Sequence, residues 1–108
     1  MRVSIVIPTY NEEKTIIKKL DNTIELNYPK KDMEIVISDS SNDRTMELIE
    51  EYFSQDRGVR LVVHHEDERR GVSYADNVGF ASATGDIIVR TDADVLLDDD
   101  ALSHAVDS

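Results

Sequence analysis

Cysteine is absent from the 108-residue sequence, and so is tryptophan. A chain without cysteine forms no disulfide, offers no thiolate for catalysis and cannot hold zinc through sulfur. Any metal ion must therefore be bound by carboxylate, hydroxyl or histidine side chains. Hard cations that prefer oxygen ligands are the candidates.

Long hydrophobic runs are also missing. No apolar segment approaches the roughly 20 residues that a helix needs to cross a bilayer, and the first residues lack the basic-then-apolar layout of a signal peptide. We therefore expect a cytoplasmic protein, which could act at the inner face of the membrane. The composition, 40% hydrophobic and 32% charged, is typical of a single folded domain over residues 1–108.

Positive charge is scarce, with 12 lysines and arginines against 23 acidic residues and a formal net charge of -11. Nucleic acid would be repelled by such a chain in the absence of a local basic cluster. We therefore expect no nucleic-acid partner, and a phosphate ligand would need a metal ion or specific arginines. The acidic residues are densest in 86–108, where a solvated acidic end, or adaptation to high salt, explains most of them.

Apolar periodicity predicts an alternation of four strands and three helices. Short β-branched apolar runs predict strands at residues 2–7, 33–38, 59–63 and 86–90, the first ending at Pro8. Apolar residues at helical spacing predict helices at residues 12–26, 43–53 and 72–84. In the first helix Ile16, Leu20 and Ile24 form the apolar face, and Lys19 is predicted to face elsewhere. This order predicts an α/β fold with a Rossmann-like, mostly parallel sheet and helices on both faces.

Polar residues gather where the four predicted strands end. Ligands of open α/β sheets bind outside the carboxyl ends of the strands, so these segments are the candidates for a site. They are residues 8–12, residues 39–43, the segment with Arg69 and Arg70, and residues 91–94. All four should lie along one edge of the sheet.

Asp92 and Asp94 lie two positions apart directly after the fourth predicted strand. On an extended chain their side chains project to the same side, so the two carboxylates can converge. At about 5 Å and an effective dielectric of about 20, their repulsion is on the order of 3 kcal/mol, which a divalent cation would reverse. A chance pair at an acidic turn is the alternative. The position beside three other polar segments favours a metal site that suits Mg²⁺ or Mn²⁺ and stays open to substrate phosphates.

These motifs together resemble the family 2 glycosyltransferases, a large inverting group that uses nucleotide-diphosphate sugars. The resemblance rests on V-S-I-V-I-P-T-Y-N-E-E near the start, D-S-S-N-D-R-T at 39–45, A-D-N-V-G-F-A-S-A-T-G-D at 75–86 and T-D-A-D at 91–94. It implies the A-type glycosyltransferase fold. Residues 1–108 would be its N-terminal, nucleotide-sugar-binding portion, truncated before the acceptor-binding half.

The resemblance also implies a nucleotide-sugar site at the strand ends. The residues expected to line the nucleoside pocket are Pro8, Thr9, Tyr10 and Glu12. Tyr10 should lie beside the base and Glu12 near the ribose. Asp39 matches the family aspartate that hydrogen-bonds a pyrimidine base, a role that suits a carboxylate facing a ring N–H. The structural alternatives are a partly buried rim aromatic for Tyr10 and a capping or Asx-turn residue for Asp39.

Other charged residues near the strand ends have competing interpretations. Arg70 is the candidate for phosphate binding, because a guanidinium offers paired donors to phosphate oxygens; Arg69 competes for that role, and a plain surface pair is the alternative. Asp43 is interpreted as a helix cap. His64 and His65 are interpreted as structural histidines rather than metal ligands.

By this resemblance the protein is a metal-dependent, inverting glycosyltransferase. Asp94 would bind Mn²⁺ or Mg²⁺ bridging the donor diphosphate, and Asp92 would assist through the ribose, the sugar or a metal-bound water. The donor would be of the uridine or guanosine diphosphate type, whereas the acceptor, a sugar, lipid or polysaccharide, is not identified. The base that deprotonates the acceptor is expected beyond Ser108. A homodimer could cover the exposed sheet edge.

Other functions fit parts of the pattern. A noncatalytic nucleotide or nucleotide-sugar-binding module would use the same pocket and needs no base. A receiver-like domain needs an acidic pair after the first strand, and a haloacid-dehalogenase-like phosphatase needs its Asp-x-Asp there, whereas here the pair follows the fourth. A dinucleotide-binding domain needs Gly-x-Gly-x-x-Gly after the first strand, and that loop contains no glycine.

Overall fold

The structure, a computed structural model, describes residues 1–107, with the side chain of Val72 outside that description. Strands and helices alternate along these residues: β1 Val3–Thr9, α1 Ile16–Ile24, β2 Met33–Asp39, α2 Thr45–Tyr52, β3 Arg60–His65, α3 Val72–Ser82, β4 Ile87–Arg90 and α4 Ala101–Asp107. A 3₁₀ turn at Lys30–Asp32 leads into β2. Within residues 1–107, no helix is long and apolar enough to cross a membrane.

The sheet is parallel throughout, with strand order β3-β2-β1-β4. β1 and β2 pair along their whole length, whereas β4 pairs with β1 only from Val3 to Val6. The carboxyl ends of the strands therefore lie at one edge of the sheet. The predicted α/β fold with a parallel sheet is confirmed.

Alternate residues of the two central strands face different helical layers. The main core holds the odd-numbered apolar residues of β1 and β2 together with residues of α1, α2 and α4: Val3, Ile5, Ile7, Met33, Ile35, Ile37, Ile16, Leu20, Ile49 and Leu102. On the other face α3 packs so closely that a Cβ at Gly79 would lie 2.5 Å from Cγ1 of Val6. Helices therefore cover both faces, and glycine allows the close approach of α3 to β1.

β1 continues through Pro8 to Thr9, so the prediction that Pro8 ends the strand was wrong. The Thr9 carbonyl accepts a hydrogen bond from Ser40 on the β2 side, and the Val6 carbonyl accepts one from Thr91 on the β4 side. Backbone groups alternate in direction along a strand, so Pro8 presents its nitrogen to the side where β4 has already ended. No ladder hydrogen bond is lost there.

Two features of α1 differ from the prediction. The helix begins at Ile16 rather than at Glu12, because the chain first makes a turn in which the N–H groups of Thr15 and Ile16 donate to the Glu12 carbonyl. Lys19, predicted to face away from the core, is fully buried. It lies three residues after Ile16 and four before Thr23, both of which are buried, and this spacing puts it on the inner face of the helix.

The acidic end of the chain is more than a solvated segment. Helix α4 was not predicted, and its Leu102 is fully buried in the main core. The backbone N–H of Asn27 donates to the Asp99 carbonyl at 2.7 Å, and the Asn27 side chain donates to Asp100 at 2.9 Å. This helix is short and has one fully buried leucine, so it lacks the repeated apolar spacing from which the other helices were predicted.

A buried carboxylate lies at the amino-terminal end of the sheet, away from the predicted site. Glu34 is fully buried and accepts hydrogen bonds from the hydroxyls of Ser4 and Thr84 at 2.8 and 2.7 Å, and it pairs with Arg60 at 2.8 Å. Burial opposes ionisation, but the hydrogen bonds and the charge of Arg60 outweigh it, so the pKa of Glu34 is lowered. This network ties β1, β2 and β3 to the segment before β4.

Candidate functional site

A cavity of about 170 Å³ opens at the carboxyl ends of β1, β2 and β4. The residues that line it are Pro8, Thr9, Tyr10, Glu12, Ser40, Arg69, Gly71, Ala75, Arg90 and Asp92. Five of the seven residues predicted to bind a nucleotide sugar are among them; the other two, Asp39 and Arg70, are not. Polar segments that follow different strands therefore meet in one hollow.

The loop after β1 is held in shape by the loop after β2. The N–H groups of Asn11 and Glu12 donate to the hydroxyls of Ser41 and Thr45, each at 2.8 Å. In return the N–H of Asn42 donates to the side-chain oxygen of Asn11 at 2.9 Å. Asn11 has φ 53°, a left-handed conformation that asparagine tolerates better than most residues. The motif after β2 thus braces the residues that line the cavity.

Asp43 supports the start of α2, as predicted for a capping residue. Its carboxylate accepts from the backbone N–H of Thr45 at 2.9 Å and from the Thr45 hydroxyl at 2.5 Å. Burial raises the pKa of Asp43, but the hydrogen bonds from Thr45 outweigh it, and the pKa is lowered overall. The carboxylate is thus kept ionised at the beginning of the helix.

Asp39 is buried beneath the cavity rim. It is 2% exposed, and its carboxylate accepts from the hydroxyls of Thr9 and Ser41 at 2.5 and 2.6 Å and from the Ser41 N–H at 3.1 Å. Nδ1 of His65 lies 2.7 Å from the same carboxylate. These four contacts match the roughly four lone-pair positions of a carboxylate. A nucleobase N–H would bind Asp39 by replacing one of these partners.

The two histidines of β3 have different partners. His65 contacts Asp39 and, through its other ring nitrogen, Asp67 at 3.2 Å. The hydrogen bond to Asp39 raises the pKa of His65, burial opposes the shift, and Asp67 adds to it. His64, whose side chain points to the opposite side of β3 from that of His65, lies 3.3 Å from the Glu66 carboxylate. His65 therefore belongs to the hydrogen-bond network under the cavity rim.

The two adjacent arginines go to different places. Arg69 lines the cavity, and its guanidinium carbon lies 4.3 Å from the centroid of the Tyr10 ring, a cation–π contact. Arg70, the predicted phosphate ligand, lies 5.2 Å from the ring centroid of Tyr74 and 3.6 Å from the Glu66 carboxylate. The structure therefore puts Arg69 rather than Arg70 in the cavity wall.

The segment 91–97 that follows β4, here called the aspartate loop, carries Asp92 and Asp94. Ala93 between them is 2% exposed, whereas both aspartates are exposed. The buried alanine anchors the loop, and both carboxylates remain in contact with solvent. The backbone N–H of Thr91 donates to the Val6 carbonyl at 3.0 Å, so the loop begins where β4 leaves the sheet.

Arg90, which the sequence patterns did not single out, reaches into the cavity wall from the end of β4. Its Nη1 donates to Oδ1 of Asp92 at 2.6 Å, and its Nε donates to Asp76 on α3 at 3.1 Å. Arg90 thus links one aspartate of the pair to the helix across the cavity. Its signal in the sequence is that no other lysine or arginine occurs in residues 86–108.

Negative charge is concentrated around Asp94. The pKa of Glu12 is raised, first by burial and then by the charges of Asp94, Asp43 and Asp92, with a hydrogen bond from a neighbouring threonine opposing. Asp94, Glu12 and Asp43 also line one shallow hollow. Among residues 1–107 no three histidine or acidic side chains converge as a ready metal site. The exposed carboxylates of Asp94 and Asp92 fit a hard divalent cation that keeps most of its coordination for water and phosphate.

A buried lysine lies under the aspartate loop. Nζ of Lys19 donates to Oγ1 of Thr91 at 2.8 Å and to the carbonyl of Val95 at 2.5 Å. Burial lowers the pKa of Lys19 to about 8, and the charges of Asp92 and Asp94 oppose the shift. The sequence signal for this contact was the spacing of Lys19 from the apolar residues of α1.

The sequence of the chain matches a known family and several known proteins. The family model for glycosyl transferase family 2 matches residues 4–108. A Methanococcus voltae enzyme is 35% identical over 107 residues, 98% of this chain and 33% of that protein. It is a dolichyl N-acetyl-alpha-D-glucosaminyl phosphate 3-beta-D-2,3-diacetamido-2,3-dideoxy-beta-D-glucuronosyltransferase.

Solved structures show the same arrangement of strands and helices. The mannosyltransferase PcManGT from Pyrobaculum calidifontis, in complex with GDP-Man and Mn²⁺, has a TM-score of 0.91 and 41% identity over 97% of this chain and 31% of that chain. Residues 1-349 of S. aureus TarS, in complex with UDP-GlcNAc, have a TM-score of 0.88 and 28% identity over 99% of this chain and 30% of that chain. The chain thus spans about a third of the length of these relatives.

Proposed function

The chain belongs to glycosyl transferase family 2, and we propose that its cavity binds the nucleotide-diphosphate sugar of a metal-dependent, inverting glycosyltransferase. The observation that supports this most strongly is the composition of the cavity wall, in which Arg69 and Arg90 stand beside Asp92. A chain of net charge -11 repels a diphosphate in general. Two guanidinium groups beside a carboxylate provide the local donors and the cation ligand that a diphosphate needs.

The nucleoside would lie along the loop after β1. Tyr10 is 37% exposed and offers its ring to a base, and the half-buried Glu12 offers its carboxylate to a ribose hydroxyl. Pro8 and Thr9 form the floor between them. Asp39 would support the nucleoside end of the site by accepting the hydrogen bond of the Thr9 hydroxyl. A base that bonded directly to Asp39 would displace His65, the one exposed partner of this carboxylate.

The diphosphate would lie between the arginines and the aspartate loop. Arg69 and Arg90 donate to phosphate oxygens, and Arg90 also orients the Asp92 carboxylate that it already holds at 2.6 Å. Asp94, with Asp92, would hold Mn²⁺ or Mg²⁺. The bound cation would offset the charge that develops on the leaving diphosphate.

The donor type is proposed from the relatives. PcManGT is in complex with GDP-Man and TarS with UDP-GlcNAc, so a guanosine or uridine diphosphate sugar is the class to test here. Inverting transfer also needs a base for the acceptor hydroxyl, and we assign none among residues 1–107. The second candidate is a noncatalytic nucleotide-sugar-binding module, which would use the same cavity. Release of nucleoside diphosphate from a donor in the presence of extracts that contain acceptors would separate the two.

Calorimetric titration with guanosine diphosphate and uridine diphosphate, with and without Mn²⁺, tests the proposal. We expect one of them to bind in a Mn²⁺-dependent manner and Asp94→Asn to weaken that binding by about tenfold or more, or about 1.4 kcal/mol. Asp99→Asn is the matched control, because it removes the same charge from an exposed aspartate that lies outside both the cavity and the hollow lined by Asp94. Binding by folded protein that ignores both Mn²⁺ and Asp94 would refute the assignment.

A further inference from the structure

We propose that Lys19 is a positioning residue of the aspartate loop, whose buried ammonium holds Asp92 and Asp94 in a binding-competent arrangement before any metal ion or nucleotide arrives. The inference rests on the proposed function, because it concerns the same loop. It adds a residue of α1 that does not line the cavity.

The contacts of Lys19 bracket the aspartate pair. Its Nζ donates to Thr91, the residue directly before Asp92, and to Val95, the residue directly after Asp94, at 2.8 and 2.5 Å. One ammonium group therefore holds both ends of the Asp-Ala-Asp tripeptide. The residue is fully buried, so water does not compete for these hydrogen bonds.

Helix α1 provides further contacts to the same loop. The side-chain amide of Asn22, one turn after Lys19, accepts from the Leu97 N–H at 2.8 Å and donates to the Leu97 carbonyl at 2.9 Å. Within the loop the Val95 N–H donates to the Asp92 carbonyl at 3.2 Å. Helix α1 thus holds the loop at two places. Lys19 makes charged contacts next to the aspartates, and Asn22 makes neutral contacts at Leu97.

A buried ammonium is costly and needs compensation. Two hydrogen bonds satisfy part of the Lys19 group, and the charges of Asp92 and Asp94 favour its ionised form. In the same way the ammonium offsets the mutual repulsion of the two aspartates when no cation is bound. An apolar residue at this position would fill the space but would leave the Thr91 hydroxyl and the Val95 carbonyl without their partner.

The sign of the effect on nucleotide binding follows from the total charge of the ligand. A complex of Mn²⁺ with a nucleoside diphosphate keeps a net negative charge, so a lysine beneath the loop attracts it. Removing the ammonium both loosens the loop and removes this attraction. Both effects weaken binding of the complex.

The test compares Lys19→Met with Asn22→Ala in two measurements. The first is amide hydrogen exchange of Val95 and Leu97 without metal, and the second is calorimetric binding of guanosine or uridine diphosphate with Mn²⁺. Lys19→Met removes the charge and keeps most of the length of the side chain, whereas Asn22→Ala removes two neutral contacts with the same loop. We expect Lys19→Met to speed exchange at Val95 and to raise the Kd about tenfold, and Asn22→Ala to act on Leu97 with less than about a threefold change in Kd.

Several results would overturn the inference. These are unchanged exchange at Val95 in folded Lys19→Met, an unchanged Kd, or an equal loss of affinity in Asn22→Ala. If Lys19→Met does not fold, Thr91→Val serves instead, because it removes one acceptor of the ammonium and keeps the lysine; unchanged exchange and affinity there would overturn the inference as well. A wild-type protein that binds neither nucleotide with Mn²⁺ would refute the proposed function, and the exchange measurement would still decide the role of Lys19.

Discussion

Replacement of Asp39 by alanine should destabilise the fold by about 3 kcal/mol, even though Asp39 matches a ligand-binding residue of the family. The carboxylate is 2% exposed and satisfies the hydroxyls of Thr9 and Ser41 and the N–H of Ser41, all at buried residues. A buried donor left without a partner costs roughly 1–3 kcal/mol. The two hydroxyls can rotate to other acceptors, and His65 can form hydrogen bonds with water. The total cost of the three unpaired donors therefore stays near the lower end of its range. Asp39→Asn should cost less, because these hydroxyls can accept from the amide.

His65 adds a pH dependence to this prediction. Its pKa is raised by the hydrogen bond to Asp39, with burial opposing. A group whose pKa is raised in the folded state contributes its stabilisation fully below the unfolded value, about 6.5 for histidine, and loses it as the pH rises through the folded value. Wild-type stability should therefore decline as the pH rises above about 6.5. Asp39→Ala should flatten that decline.

Thermal and urea denaturation at about pH 6 and about pH 8 measure both effects. For a domain of this size 1 kcal/mol corresponds to roughly 4–8 °C, so Tm should fall by about 15 °C in Asp39→Ala. Asp99→Ala, at an exposed position, is the matched control. The reasoning is refuted if Asp39→Ala stays within about 0.5 kcal/mol of the wild type and keeps its pH dependence while losing nucleotide affinity. That outcome would mean that the carboxylate is free for the base.

Three further predictions follow from contacts of single residues. Gly79→Ala should destabilise the fold by about 1–3 kcal/mol, because the new Cβ would lie 2.5 Å from Val6, and urea denaturation should show partial recovery when Val6→Ala is added. Arg90→Met should raise the Kd for nucleoside diphosphate by about tenfold, measured by calorimetry, because it removes a phosphate donor and releases Asp92. Glu34→Gln should make the protein less sensitive to acid. Burial raises the pKa of Glu34, but its hydrogen bonds and the neighbouring arginine outweigh burial, so the pKa is lowered overall. Because the folded-state pKa is lowered, the stability that Glu34 contributes above about pH 4.5 is lost as the pH falls. Denaturation curves between about pH 3 and about pH 6 should show a shallower decline in the variant.

The alternation of strands and helices could be predicted because each element has its own apolar pattern. The details that could not be predicted depend on neighbours. Pro8 fits inside β1 only because β4 ends early, and that register is not visible in the local sequence. Leu102 anchors α4 with too few apolar residues to reveal a helix. Lys19 was predicted to face away from the apolar residues of α1, although its spacing from Ile16 puts it inside.

The position of the candidate site could be predicted because strand ends converge in a parallel sheet. The hydrogen-bond partners of the site residues could not be predicted, because these partners come from distant segments of the chain. Asp39 is enclosed by Thr9 and His65, which lie 30 and 26 positions away along the chain. Arg69 and Arg70 are adjacent, and only the course of the chain after β3 decides that Arg69 reaches Tyr10.

The location of Mn²⁺ in the presence of guanosine or uridine diphosphate is the most direct test of the proposed site. Bound Mn²⁺ broadens the NMR signals of nearby amides, and residues 98–100 are an acidic segment that competes with the aspartate loop for the cation. The proposed function predicts that the amides of Asp92, Asp94 and Glu12 lose more intensity than those of residues 98–100, and that Asp94→Asn restores the signals. Broadening that is strongest at residues 98–100, and weaker at Glu12, would contradict the assignment of the cation to the donor site.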